Sequence, residues 1–482
     1  MTAPNWAGVA EFARNMMEKS DLPGLALAIA RDGASVYAEG FGHRDRERDL
    51  PVTPDTVFGI ASSTKSFTCM AMLQLEEAGR LRVSDPVVRY IPEFRTPDPE
   101  ATRLITIHHF MTHSSGLPPL PSRFFVMARS FADDAAAEQR PDWIAPHDPI
   151  DTYEQLLAYI AESDYTLLGP PGSHFSYSND GFALLGLILE RVSGQSFEHF
   201  VREHILAPAG MTRSTFDVSV IRDFPDVTTL YAKREQDGQQ EVHAAPVWMD
   251  APIWSSAGRL KSNTQDLLRY LEIYRTGGMV RSERLLSTPN VERMLTPYIP
   301  TGNPNVYYGY GLMIRPNYHG VSVAGHGGGR KGISAYLCVA RDIGFTGVGL
   351  ANLGNVPTPS VVHAALNATL GLPLDTAGEA YRDYACPLEL LAAYIGEYRS
   401  GESGRMTVTR EDNTLVFTSG GQSRVARPVG EHAFVTQQDR GEAYSRFLIG
   451  GTGQAYALTS GNRILQRAPS EETGAEAARS QR

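Results

Sequence analysis

The chain is poor in cysteine and in lysine, and other expected features are missing as well. Its three cysteines, Cys69, Cys338 and Cys386, stand far apart with no Cys-x-x-Cys pair. That excludes a disulfide framework and a cysteine-ligated zinc site. The longest apolar run, around Phe182 to Leu189, falls far short of the ~20 residues of a membrane-spanning helix. Met1 to Ser20 carries early charges and has no apolar centre, so it does not read as a signal peptide. Lys and Arg number 44 against 54 Asp and Glu, a net charge of −10. A protein living on phosphate backbones would need basic stripes instead. No Gly-x-Ser-x-Gly occurs, so there is no nucleophile elbow. His109 and His113 have the i, i+4 spacing of a metal pair, but no Glu follows His109. Both read as structural loop residues. These absences leave a protein without metal or cofactor, binding neither nucleic acid nor membrane, and expected in the cytoplasm.

Of the 44 cations only five are lysines: Lys19, Lys65, Lys233, Lys261 and Lys331. Codon preference accounts for the ratio. Each remaining lysine can still do what arginine cannot, because a buried amine can become neutral while a guanidinium stays charged.

What is present is an ordinary globular composition, 42% hydrophobic and 20% charged over 482 residues. It suits one large domain and a small one. Leu25 to Ala30 and Ala34 to Phe41 read as a hairpin turning at Asp32-Gly33. A helix is expected from near Ser62 to Ala78, stopped by Gly79. Residues 118–165 are Pro-rich, with one helix at Tyr153 to Glu162, and form a surface excursion of the kind that shapes binding sites. Another helix follows Asn179-Asp180 and ends at Gly194. Ser262-Asn263-Thr264-Gln265 has the form of a capping box, with Ser262 as cap. Strands separated by glycines run from Tyr308 to Ala351, and a helix from Val361 to Leu370. Beyond Leu388 to Tyr394 come five alternating segments: Met406–Thr409, Thr414–Thr418, Ala433–Thr436, Tyr444–Leu448 and Tyr456–Thr459. They read as a small all-β module.

Three features can carry chemistry. In Ser62-Ser63-Thr64-Lys65, serine and lysine stand three apart at a helix start, on one face, so hydroxyl and amine can meet. The helix N-terminus favours the oxyanion formed when a serine attacks a carbonyl, and a neutral amine can take the serine proton. In Tyr177-Ser178-Asn179, an extended segment before a helix, the phenol and amide face the same way; a core tyrosine beside a helix-capping Asn179 is the plainer alternative. In Gly325-His326-Gly327-Gly328-Gly329, the glycines let a substrate backbone approach a strand edge.

Ser-x-x-Lys, then Tyr-x-Asn, then His-x-Gly, in that order, resembles the serine beta-lactamase-like superfamily. Class C beta-lactamases, penicillin-binding proteins, D-aminopeptidases and related esterases belong to it. Leu22-Pro23-Gly24, Asp55-Thr56-Val57-Phe58, Thr112-His113-Ser114-Ser115-Gly116-Leu117 and Tyr308-Gly309-Tyr310-Gly311-Leu312 look like its landmarks. The resemblance implies an α/β (α+β) fold. N- and C-terminal strands would share a central antiparallel sheet flanked by helices, with an inserted helical region. The expected division is a hydrolase domain over 1–375, a small β-barrel-like domain over 386–468 and a disordered tail over 469–482. Ser62 would be the acylated nucleophile. Lys65 and Tyr177 would act as general base, with Tyr177 returning the proton to the leaving group. Asn179, His326, Gly328 and Gly329 would bind substrate, and the N–H groups of Ser62 and Gly329 would form the oxyanion hole.

His326 departs from the lysine of the lactamases, and a neutral imidazole is a poor anion partner. Arg330 and Lys331 could replace that contact. Family peptidases also append small barrels that reach toward the cleft. The reading is therefore a D-aminopeptidase, amidase or esterase acting on a small molecule or short peptide. A beta-lactamase or carboxypeptidase is the alternative, and a non-catalytic sensor the alternative of another class. A homo-oligomer stays open.

Overall fold

The strand Gly24–Arg31 shows why the molecule is layered. Nearly every residue in it is buried, so both of its faces must be covered. Ala26, Ala28 and Ala30 join one core, while Leu25, Leu27 and Ile29 join another on the opposite face. It pairs antiparallel with Ala34–Asp45 on one side and with Phe345–Ala351 on the other. The N- and C-terminal strands therefore do share one sheet, as expected.

The computed structural model describes residues 4–469 apart from 133, 135, 137, 138, 237, 238, 379, 403, 439 and 440. The expected disordered tail lies outside the described residues except at Pro469. Nine strands make the sheet. In spatial order they are Ile299–Pro300, Tyr307–Tyr308, Met313–Tyr318, Val321–Arg330, Ile333–Ala340, Phe345–Ala351, Gly24–Arg31, Ala34–Asp45 and Leu50–Pro51. Helices Trp6–Ser20 and Thr358–Leu370 cover one face. The larger core on the other face takes Thr64–Glu77, Asn179–Ser193 and Thr264–Arg275. No helix among the described residues is long and apolar enough to cross a membrane.

Local chemistry sets the helix ends. Ser178, not Asn179, caps the helix Asn179–Ser193: its hydroxyl accepts from the N–H of Gly181 at 3.0 Å. This leaves the Asn179 amide free for other work. The cap expected at Ser262 falls one residue later. Asn263 is the cap, accepting from the N–H of Asp266 at 2.8 Å, while Ser262 is held in a short strand opposite Phe58. Either residue type serves as a cap, and the strand pairing decides which one does.

The C-terminal segments close into an eight-stranded barrel, from Gly396–Arg399 to Arg463–Arg467. The five expected strands are among the eight. The other three escaped because Gly396–Arg399 has a single apolar residue, Arg463–Arg467 sets its two apolar residues side by side without alternation, and Gln422–Gly430 mixes arginines with Pro428. Tyr394, Tyr398, Phe417, Phe434 and Phe447 fill the interior, with Tyr394 stacked on Phe447 at 4.5 Å. The barrel is a packed core, not a hollow carrier.

Gly311, in the Tyr-Gly-Tyr-Gly-Leu landmark, supports the helix that follows Ser62. Its φ is +70°, and a Cβ there would lie 2.7 Å from the Lys65 carbonyl and 2.8 Å from the Ser66 Cα. Gly311→Ala is expected to cost about 1–3 kcal/mol through backbone strain and overpacking. Urea unfolding tests this, and an unchanged midpoint would contradict it.

Candidate active site

Ser62 lies in a single 3₁₀ turn, Ala61–Ser63, that leads into Thr64–Glu77. Ala61, immediately before it, has φ +42°, a left-handed conformation that a non-glycine residue adopts only under constraint. The turn puts Ser62 at a helix start, where backbone N–H groups have no intrahelical acceptor. One turn on, Lys65 is fully buried. Its Nζ lies 3.2 Å from Ser62 Oγ, 2.9 Å from Asn179 Oδ1 and 2.7 Å from the Ala257 carbonyl. Among the described residues no carboxylate touches it. Burial drives its pKa well below the ordinary value, and the nearby cations Arg463 and Arg330 add to this, while Glu402 and Cys69 oppose it.

A neutral amine has two N–H groups and one lone pair. The Ala257 carbonyl and Asn179 Oδ1 can only accept, so they take both hydrogens. The lone pair then faces the Ser62 hydroxyl, the arrangement a serine base requires.

Tyr177 sits beside this pair, its ring centroid 4.9 Å from Lys65 Nζ. The Thr112 to Leu117 landmark braces it. The His113 ring stacks on Tyr177 at 4.1 Å, His113 Nδ1 accepts from the N–H of Ser178, and the His113 carbonyl accepts from the N–H of Ser176. Burial raises the Tyr177 pKa above its ordinary value, with Arg463 and a Ser62 hydrogen bond opposing. The resting phenol is protonated, so it is placed as a proton donor and not as a resting base.

His326, expected to touch substrate, is almost fully buried with both ring nitrogens engaged. Nδ1 is 2.6 Å from the Gly327 carbonyl, which only accepts, so that nitrogen carries the proton. Nε2 is then left to accept from the Tyr308 hydroxyl at 3.0 Å. Burial is the main cause that lowers its pKa to about 3. Gly328 is covered too: a Cβ there would lie 1.9 Å from the Ile60 carbonyl. These two residues join the strand to the nucleophile turn, helped by the Ser63 hydroxyl donating to the His326 carbonyl. Gly329 is exposed, with open space around its Cα.

Ser62, Asn179 and Gly329 open onto a cavity of about 480 Å³. Phe131 and His147 of the excursion, Trp254, and Arg123, Arg330 and Lys331 also line it. Lys331 is held by Asp134 and is not available as an anion contact. Arg330 is different: its Nη1 is buried without a hydrogen-bond partner, and burial beside Arg123 and Arg259 lowers its pKa to about 9. No group of three or more His, Cys, Asp or Glu among the described residues could hold a metal ion.

Among the cavity residues that sequence reasoning missed are Glu402 and Arg463. Glu402 lies in a barrel loop and Arg463 opens the last barrel strand, both in stretches without a motif. Glu402 Oε1 accepts from Asn179 Nδ2 at 2.9 Å, its other oxygen pairs with Arg463, and the Arg463 guanidinium lies 4.3 Å over the Tyr177 ring.

The sheet, the buried Ser-x-x-Lys turn and the facing Tyr-x-Asn and His-x-Gly segments define a serine-hydrolase fold. The chain belongs to the Beta-lactamase family, whose model matches residues 9–372. It is 25% identical to Penicillin-binding protein 4* of Bacillus subtilis (strain 168) over 422 residues, 85% of this chain and 86% of that one. Among solved structures, the octameric penicillin-binding protein homologue from Pyrococcus abyssi superposes with TM-score 0.68 and 28% identity, over 96% of this chain and 99% of that one. A D-stereospecific amidohydrolase from Streptomyces sp. gives TM-score 0.56 and 25% identity, over 74% and 95%.

The neutral His326 has a measurable consequence. Its folded pKa of about 3 lies below the ordinary 6.5, so its contribution to stability is present above pH 6.5 and is lost as pH falls toward 3. NMR of its ring carbons is expected to show no titration between pH 5 and 8. A midpoint between 6 and 7 would contradict the burial.

Proposed function

We propose that the protein is a hydrolase forming an acyl-enzyme on Ser62. The observation that carries this is the buried Lys65 amine, whose hydrogen-bond neighbours among the described residues are two pure acceptors, Asn179 Oδ1 and the Ala257 carbonyl, and Ser62 Oγ. Lys65 takes the Ser62 proton as Oγ attacks a substrate carbonyl. The N–H groups of Ser62 and Gly329, with the helix N-terminus, hold the resulting oxyanion. The Tyr177 hydroxyl donates its proton to the leaving group and recovers one through Lys65. Water then hydrolyses the acyl-enzyme. Asn179 and Gly329 contact substrate directly, while His326 and Gly328 fix the strand behind them.

The substrate class is an amide or ester of a small D-amino-acid-containing peptide or a related ester. The likeness to the D-stereospecific amidohydrolase supports this. So does the neutral His326, a poor partner for the carboxylate of a beta-lactam. Arg330 favours a second reading, a beta-lactamase or carboxypeptidase, because this cationic side chain lines the cavity in which a substrate carboxylate would be held. The likeness to an octameric protein supports a homo-oligomer.

A serine-directed fluorophosphonate is expected to add once to the protein and not to Ser62→Ala, as read by intact mass. A labelled Ser62→Ala would contradict the nucleophile. Lys65→Arg keeps the charge but cannot lose its proton, and is expected to slow labelling roughly 10²–10⁴-fold. A D-alanyl anilide and a short nitrophenyl ester are expected to turn over faster than a chromogenic cephalosporin, and the reverse order would favour the second reading.

A further inference from the structure

We propose that Glu402, delivered by the barrel, is a positioning residue that fixes which way round the Asn179 amide sits and so aims the Lys65 lone pair at Ser62. The inference rests on the acyl-transfer reading above.

The argument starts from what each group can donate or accept. A carboxylate only accepts, so with Glu402 Oε1 2.9 Å away, Asn179 must present Nδ2 to it. Asn179 Oδ1 is then forced toward Lys65 Nζ, also at 2.9 Å. The reversed amide would point N–H groups at the amine and compete with the Ser62 hydroxyl for its single lone pair. The capping bond does not set this choice, since Ser178 has taken that role.

Glu402 is itself fixed. It is 8% exposed, its N–H donates to Ser400 Oγ, and Arg463 holds its other oxygen. Arg463 is kept in place by the Tyr177 ring beneath it. A chain of contacts thus runs from the barrel through Arg463, Glu402 and Asn179 to Lys65. The filled barrel interior fits a domain whose contribution lies at its rim.

The charges facing Lys65 come from several elements. Arg463 and Glu402 belong to the barrel, Arg330 to the His-x-Gly strand and Cys69 to its own helix. His113 and His326 also face it, and both are neutral. Glu402 is the carboxylate in this set. Removing its charge leaves Arg463 uncompensated, so the amine loses its proton at still lower pH.

Fluorophosphonate labelling of Ser62 across pH 5–10 tests this in the full chain. Glu402→Gln is expected to label at least about tenfold more slowly on the plateau, with the acid limb displaced to lower pH. Glu402→Asp keeps the charge but is too short to reach Asn179, and is expected to lose rate while keeping the wild-type limb. Two results would overturn the proposal: Glu402→Gln labelling like wild type, or all variants slowed equally with no difference in limb, which is what loosening of the barrel alone would give. Wild-type protein that takes no label would sink the acyl-transfer reading itself, a distinct failure.

Discussion

An amine with no counter-ion, buried beneath a serine, is the constraint on which the rest of the site depends. Taking an ammonium out of water costs several kcal/mol, roughly, unless a carboxylate accompanies it. None among the described residues touches Lys65, so the inexpensive solution is a neutral amine. Neutrality converts a hydrogen-bonding puzzle into a mechanism. Two acceptors hold the hydrogens, and the third direction, toward Ser62, must be met by a donor.

Holding the amine there makes demands on the surroundings. The helix that carries it is buried on almost every side, so its neighbours must come close. Gly311 packs against its backbone, Gly328 against the turn before Ser62, and Ala61 accepts a left-handed conformation at the junction. The His113 ring props Tyr177 from behind, and Tyr308 and Gly327 hold His326 neutral. The barrel adds Glu402 and Arg463 at the mouth of the site. Its interior is filled with aromatic rings, so its contribution comes from its rim.

Much of this was legible in the sequence, for definable reasons. The hairpin and the helix after Ser62 follow from local periodicity and turn residues, which survive folding unchanged, whereas the shared sheet was implied by the family resemblance of the three motifs. Lys65 was visible because arginine dominates elsewhere. The cap at Asn263 was misplaced to Ser262 because a long-range strand pairing, silent in the local pattern, chose between two adequate residues. The N-terminal helix Trp6–Ser20 was passed over because its mean character is polar and its apolar stripe is narrow. His326 looked like a substrate contact, but burial and two internal hydrogen bonds turn it inward. Glu402 and Arg463 carry no motif at all. They meet the site only because the chain folds back over it, and no spacing rule spans that distance.

The central claim is that the Lys65 amine is neutral and accepts the Ser62 proton at ordinary pH. Single-turnover acylation of Ser62 by a nitrophenyl ester, followed against pH, tests it most directly. The account predicts a rate that rises and levels off at a midpoint well below the ordinary lysine value of 10.5. A rate still climbing through that value would mean that the amine is charged at rest, and would contradict the account.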